Sequence, residues 1–106
     1  MKEQIINFFD VETTGLDPLK HEVIEIGLVK VKEIFNGSEY SFKVIEEWEA
    51  KMKPSNIKSA DPIALKINGY SDKEWASARD KRDVLEELNL MITDLDSDDQ
   101  KTNVRV

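Results

Sequence analysis

Apolar residues follow two rhythms along this chain: strand-like runs as far as about residue 52, and three- and four-residue steps after residue 80. Ile5 to Phe9 is apolar at every position except Asn7 and rich in β-branched and aromatic types, which predicts a central strand covered on both faces. From Glu22 to Ile34 the apolar positions Val23, Ile24, Ile26, Leu28, Val29 and Val31 alternate imperfectly, and Asn36-Gly37-Ser38 then signals a hairpin turn. The returning run, Tyr40 to about Met52, sets Tyr40, Phe42, Val44 and Trp48 on one parity among charged neighbours, as a half-exposed antiparallel strand requires.

Pro54 and Pro62 break this pattern. A short helix over 61–67, ended by Gly69, is predicted next, and Ser71 with Glu74 forms a capping box for a further helical turn. From Asp80 to Leu95 the residues Val84, Leu85, Leu88, Met91, Ile92 and Leu95 define an amphipathic helix with its apolar stripe toward the sheet. Residues 96–106 carry neither periodicity nor apolar mass and read as a polar tail. The outline is three strands followed by helices, an α/β or α+β arrangement in one unit at 1–95.

Composition narrows the classes. A chain of 106 residues accommodates one hydrophobic core. Without cysteine there is neither a disulfide nor a thiolate metal site, so any metal must be held by oxygen or by the single histidine. No apolar run reaches the roughly 20 residues of a membrane span, and Met1-Lys2-Glu3-Gln4 passes straight into a strand, so a cytoplasmic location off the membrane is expected. A net charge of −7 disfavours a partner held mainly through phosphates, although an enzyme that grips one chain end with the help of divalent cations still fits.

The chemistry concentrates where the first strand ends. Side chains alternate along a strand, so Asp10 and Glu12 share a face, two rises of about 3.3 Å apart, and two such carboxylates suit Mg2+ or Mn2+. A two-metal arrangement would polarise a phosphodiester and activate water. The spacing alone carries little, because chance supplies about one Asp-x-Glu in a chain with this many acids. Context carries more: the acids close a buried strand and Thr13-Thr14-Gly15-Leu16 follows as a tight turn, where a merely solvated strand end would explain the acids but not the turn.

The whole string, Phe8-Phe9-Asp10-Val11-Glu12-Thr13-Thr14-Gly15-Leu16-Asp17-Pro18 and then Glu22-Val23-Ile24-Glu25-Ile26-Gly27, resembles the first motif of the DnaQ-like, or DEDD, 3'-5' exonucleases. Lys53-Pro54 and Ile67-Asn68-Gly69-Tyr70-Ser71 resemble the segment after that family's third strand, with Asn68 where many relatives have histidine. The resemblance implies a ribonuclease H-like exonuclease fold in truncated form. It also implies metal ligation by Asp10 and Glu12, two bound Mg2+ or Mn2+ ions, and contacts from Thr13, Thr14, Gly15 and Leu16 to the 3'-terminal nucleotide of a single strand. A polymerase or another protein is the implied partner.

The same family carries a second acidic motif near a fourth strand and a third with a histidine general base, and neither is found in this sequence. Asp94, Asp96, Asp98 and Asp99 match no such spacing and read as a solvated helix end. His21 precedes the second strand, the wrong place for that base. Trp48 and Trp75 lie on amphipathic patterns without a basic groove and read as packing residues instead of base-stacking ones. With no fourth strand expected, Ile5 to Phe9 would be an uncapped edge, and a homo-oligomer through that edge follows. The expected function is a metal-dependent 3'-5' exonuclease-like domain, weak or inactive alone. The rivals are a non-catalytic association module on the same fold and an enzyme completed by a partner.

Overall fold

The computed structural model describes residues 2–92 and 100–105. Three long strands come first: β1 (Lys2–Thr13), β2 (Val23–Phe35) and β3 (Tyr40–Lys51). A 3-10 turn (Ile57–Ser59) leads to α1 (Pro62–Asn68), then α2 (Lys81–Ile92) and β4 (Gln100–Arg105). The sheet order is β3-β2-β1-β4, with antiparallel pairing except for the parallel β1–β4 pair. This is an α/β arrangement of the kind the motif resemblance implies.

Local chemistry explains the boundaries. At the hairpin, Asn36 Oδ1 accepts from the N–H groups of Ser38 and Glu39 at 3.0 and 2.9 Å, and Gly37 takes φ 104°, a left-handed conformation that glycine adopts without strain. Helix α1 starts one residue later than expected, at Pro62, with Asp61 as its cap (Oδ1 to the Ile63 N–H, 2.9 Å) and left-handed Gly69 as its stop. The Ser71 hydroxyl accepts from the Glu74 N–H at 3.0 Å, as a capping box requires, yet only turns follow, so this cap opens no helix.

Helix α2 covers one face of the sheet. Val84 is fully buried, and Leu88, Met91 and Ile92 pack with it against Phe9, Val11, Ile26, Leu28, Trp48 and Ala50. Leu85, expected in the stripe, is 52% exposed, because it sits about 100° round the helix from Val84. Leu95 and Asp94, Asp96, Asp98 and Asp99 lie outside the described residues. Lys30 reaches the last turn of α2, where its ammonium donates to the Met91 carbonyl at 2.5 Å; the buried charge thereby meets the negative end of the helix.

Four expectations are corrected here. The stretch expected as a polar tail contains β4, which pairs residue by residue with β1 from Ile5↔Gln100 to Asp10↔Arg105. Consequently Ile5 to Phe9 is not an uncapped edge, and the argument for a homo-oligomer through β1 loses its basis. Backbone pairing needs no apolar alternation, and short, charged strands are normal at sheet edges, which is why the pattern concealed this strand. Phe8 is 44% exposed, so β1 is not covered on both faces. Finally, Trp48 does not share a face with Tyr40, Phe42 and Val44: Val44 pairs with Val31 and Glu46 with Lys30, leaving Ile45 as an extra, bulged residue that inverts the parity beyond it.

The loop after β3 is fastened by Glu22. Its carboxylate accepts from the N–H groups of Ser55 and Asn56 at 2.8 and 2.9 Å and pairs with the Lys81 ammonium at the start of α2. Burial alone would raise this carboxyl, but the Lys81 hydrogen bond and the two N–H donors outweigh it and hold the group below the ordinary value of 4.5. A depressed carboxylate stabilises the fold above 4.5 and ceases to do so as pH falls through its folded value. Glu22→Gln should therefore lose about 2 kcal/mol at neutral pH and show a shallower decline on acidification, measured by urea denaturation at pH 7 and in steps below 4.5.

Candidate active site

Because Phe9 and Val11 point into the core beneath α2, alternation sends Asp10 and Glu12 to the opposite face, at the end of β1. Asp10 is exposed and Glu12 half-buried. Opposite Asp10 stands Gly27, which brings no side chain to that face of β2. Opposite Glu12 stands Glu25, a like charge directly across the strand pair. Burial first, then Asp10, then Glu25 push the Glu12 carboxyl above the ordinary 4.5. The donor set of Asp10 and Glu12 is oxygen only, which fits a hard divalent cation.

The turn after the acids is wired by its own side chains. The Thr13 hydroxyl donates to the Gly15 carbonyl at 2.8 Å, and the Thr13 carbonyl accepts from the Asn68 amide at 2.7 Å, which ties the end of α1 to the end of β1. Thr14 is buried; its N–H donates to the Glu22 carbonyl at 2.9 Å and its hydroxyl accepts from the Glu22 N–H at 3.0 Å. Leu16 stands clear at 93% exposure. A cleft of about 350 Å³ runs along this turn, lined by Thr13, Gly15, Leu16, Asp17, His21 and Glu22 among others. Of the four residues expected to touch substrate, Thr13, Gly15 and the exposed Leu16 line the cleft, and Thr14 is buried.

His21 holds this turn in shape. Its Nδ1 accepts from the Asp17 N–H at 3.0 Å, and its Nε2 lies 3.1 Å from the Ser59 carbonyl, an arrangement that places the proton on Nε2. Both ring nitrogens are thus engaged by backbone. The ring passes so close to Gly15 that a Cβ there would lie 2.3 Å from Nδ1, which is why this position is glycine. The tryptophans are equally structural: the Trp75 indole donates to the Ile24 carbonyl at 3.0 Å and the Trp48 indole to Glu87 at 2.7 Å. Motif matching singled out neither Glu25 nor Lys51 as a site residue. The hairpin register brings them level with Glu12, and that register was the available signal.

A family model described as Exonuclease matches residues 8–104. The chain is 35% identical over 94 residues to a protein named DNA polymerase III PolC-type from Bacillus subtilis, covering 89% of this chain and 6% of that protein. It is 32% identical over 79 residues to a protein of the same name from Thermotoga petrophila, covering 74% of this chain and 5% of that one. The protein therefore belongs to the exonuclease family and is a nuclease-like domain of DnaQ type. It spans 5 to 6% of the length of these relatives.

Two substitutions test the geometry. Gly15→Ala should cost about 1–3 kcal/mol in urea denaturation, because the His21 ring cannot withdraw without breaking its contacts to Asp17 and Ser59. Glu12→Gln should act in the other direction. A raised carboxyl favours the fold while protonated, and that contribution is lost as pH rises from 4.5 through its folded value. The neutral variant should therefore be more stable at pH 7 by roughly 1 kcal/mol or less, with the difference vanishing in acid, as thermal melts at both pH values would record.

Proposed function

We propose that this domain belongs to a divalent-metal-dependent 3'-5' exonuclease site, with Asp10 and Glu12 as the ligands it contributes. The observation that carries the reading is their shared position on the face away from α2, one residue before a turn whose cleft is about 350 Å³. When bound, Mg2+ or Mn2+ would polarise the scissile phosphodiester and lower the pKa of a water molecule. The chain's own residues supply the rest of what can be assigned. Asp10 and Glu12 hold the cation by oxygen, Gly27 sets no side chain against Asp10 from β2, and Leu16 offers an apolar surface for a terminal base. The turn that carries Leu16 is tied by the Thr13 hydroxyl at one end and by His21 at the other.

The relatives' name points to DNA as the strand and a polymerase as the context. Among the described residues no set of three Asp, Glu or His side chains is gathered as a metal site, so these residues supply two carboxylates and no more. Degradation by this chain alone should be weak for that reason. The net charge of −7 agrees with an enzyme that engages a single chain end and disfavours one that grips a long duplex. Among the described residues no helix is long and apolar enough to cross a membrane.

A manganese titration by calorimetry on wild type and Asp10→Ala, run beside a labelled single-strand degradation assay, tests the reading. Saturable binding in wild type, weakened at least tenfold in Asp10→Ala, is the expected result. Identical titrations for both proteins would leave a non-catalytic module on an exonuclease fold.

A further inference from the structure

Glu12, Glu25 and Lys51 form one row across β1, β2 and β3, on the face that carries the acidic pair. Like charges directly opposed on neighbouring strands repel, and their side chains come within easy reach, with Cβ atoms about 5 Å apart. Glu25 nevertheless does not join Asp10 and Glu12 as a ligand set. Its carboxylate is directed the other way, onto the Lys51 ammonium at 3.1 Å. Lys51 is fixed in turn: its ammonium lies 5.0 Å from the centroid of the Trp75 ring, and Trp75 is buried and anchored through its indole N–H to the Ile24 carbonyl. Ile24 is itself the extra residue of the bulge between Glu25 and Val23, so the carbonyl that anchors the Trp75 ring belongs to the bulged residue next to Glu25.

We infer that Lys51 is a positioning residue for the cation site: by holding the Glu25 carboxylate on the β3 side, it keeps Glu25 from becoming a third direct ligand beside Asp10 and Glu12. This rests on the metal-binding reading above. The consequence is that, among the described residues, the β1–β2–β3 row gives the cation Glu12 and withholds Glu25, leaving that position open to water or substrate. Oxygen-ligand count and charge set the affinity for hard cations, so a third carboxylate would bind the ion more tightly and occupy a position that a phosphate oxygen needs.

The test is a manganese titration of the whole chain, read by calorimetry and by electron paramagnetic resonance of the free ion, for wild type, Lys51→Met, Glu25→Gln and the double variant. Circular dichroism confirms the fold of each, and Lys51→Gln takes the place of Lys51→Met if methionine there prevents folding. Lys51→Met should bind manganese about tenfold more tightly, and the gain should disappear in the Glu25→Gln background. A gain that persists without Glu25 would be the through-space effect of removing a positive charge and would overturn the inference. An affinity unchanged by Lys51→Met would overturn it as well. No saturable binding by wild type is a separate failure, one that removes the Asp10–Glu12 reading and this inference with it.

Discussion

The pairing of β1 on both sides is the constraint on which the rest of the structure depends. With β2 along one edge and β4 along the other, the strand is held in register, and strict alternation then divides its side chains between two environments. Phe9 and Val11 enter the core under α2, while Asp10 and Glu12 are committed to the opposite face. A slip of one residue would bury both carboxylates and expose both apolar side chains. The hydrophobic core thus fixes the orientation of the acids without touching them.

Around this strand, polar residues that resemble catalytic candidates spend their hydrogen bonds on shape. Glu22, His21, Thr14 and Asn68 all satisfy backbone groups of the turn after β1 or of the loop after β3. Buried backbone N–H and C=O groups need partners, and an irregular segment has no ladder to supply them, so side chains do so. The result is a turn whose conformation is set from behind, with the Leu16 side chain left exposed.

Charge follows the same division. Lys81, Lys51 and Arg79 each meet an acidic partner in an ion pair, whereas Glu12 is left with Asp10 and Glu25 as neighbours of like sign. Carboxylates of like sign set side by side weaken a fold, and their placement at the end of a strand, before the turn, agrees with membership of the exonuclease family.

Much of this was legible in the sequence because it depends on short-range rules. Apolar runs and turn residues marked β1, β2, β3, α1 and α2 to within a few residues, and the string from Phe8 to Gly27 marked the acids and the turn. Three features were decided only by tertiary structure. The strand at Gln100–Arg105 is held by backbone pairing to β1, which leaves no apolar signature. The bulge at Ile45 inverts the parity that a continuous count assigns to Trp48, since pairing geometry and not composition inserts the extra residue. The row of Glu12, Glu25 and Lys51 joins residues far apart in sequence through strand register, and it is register that sets which charges face one another.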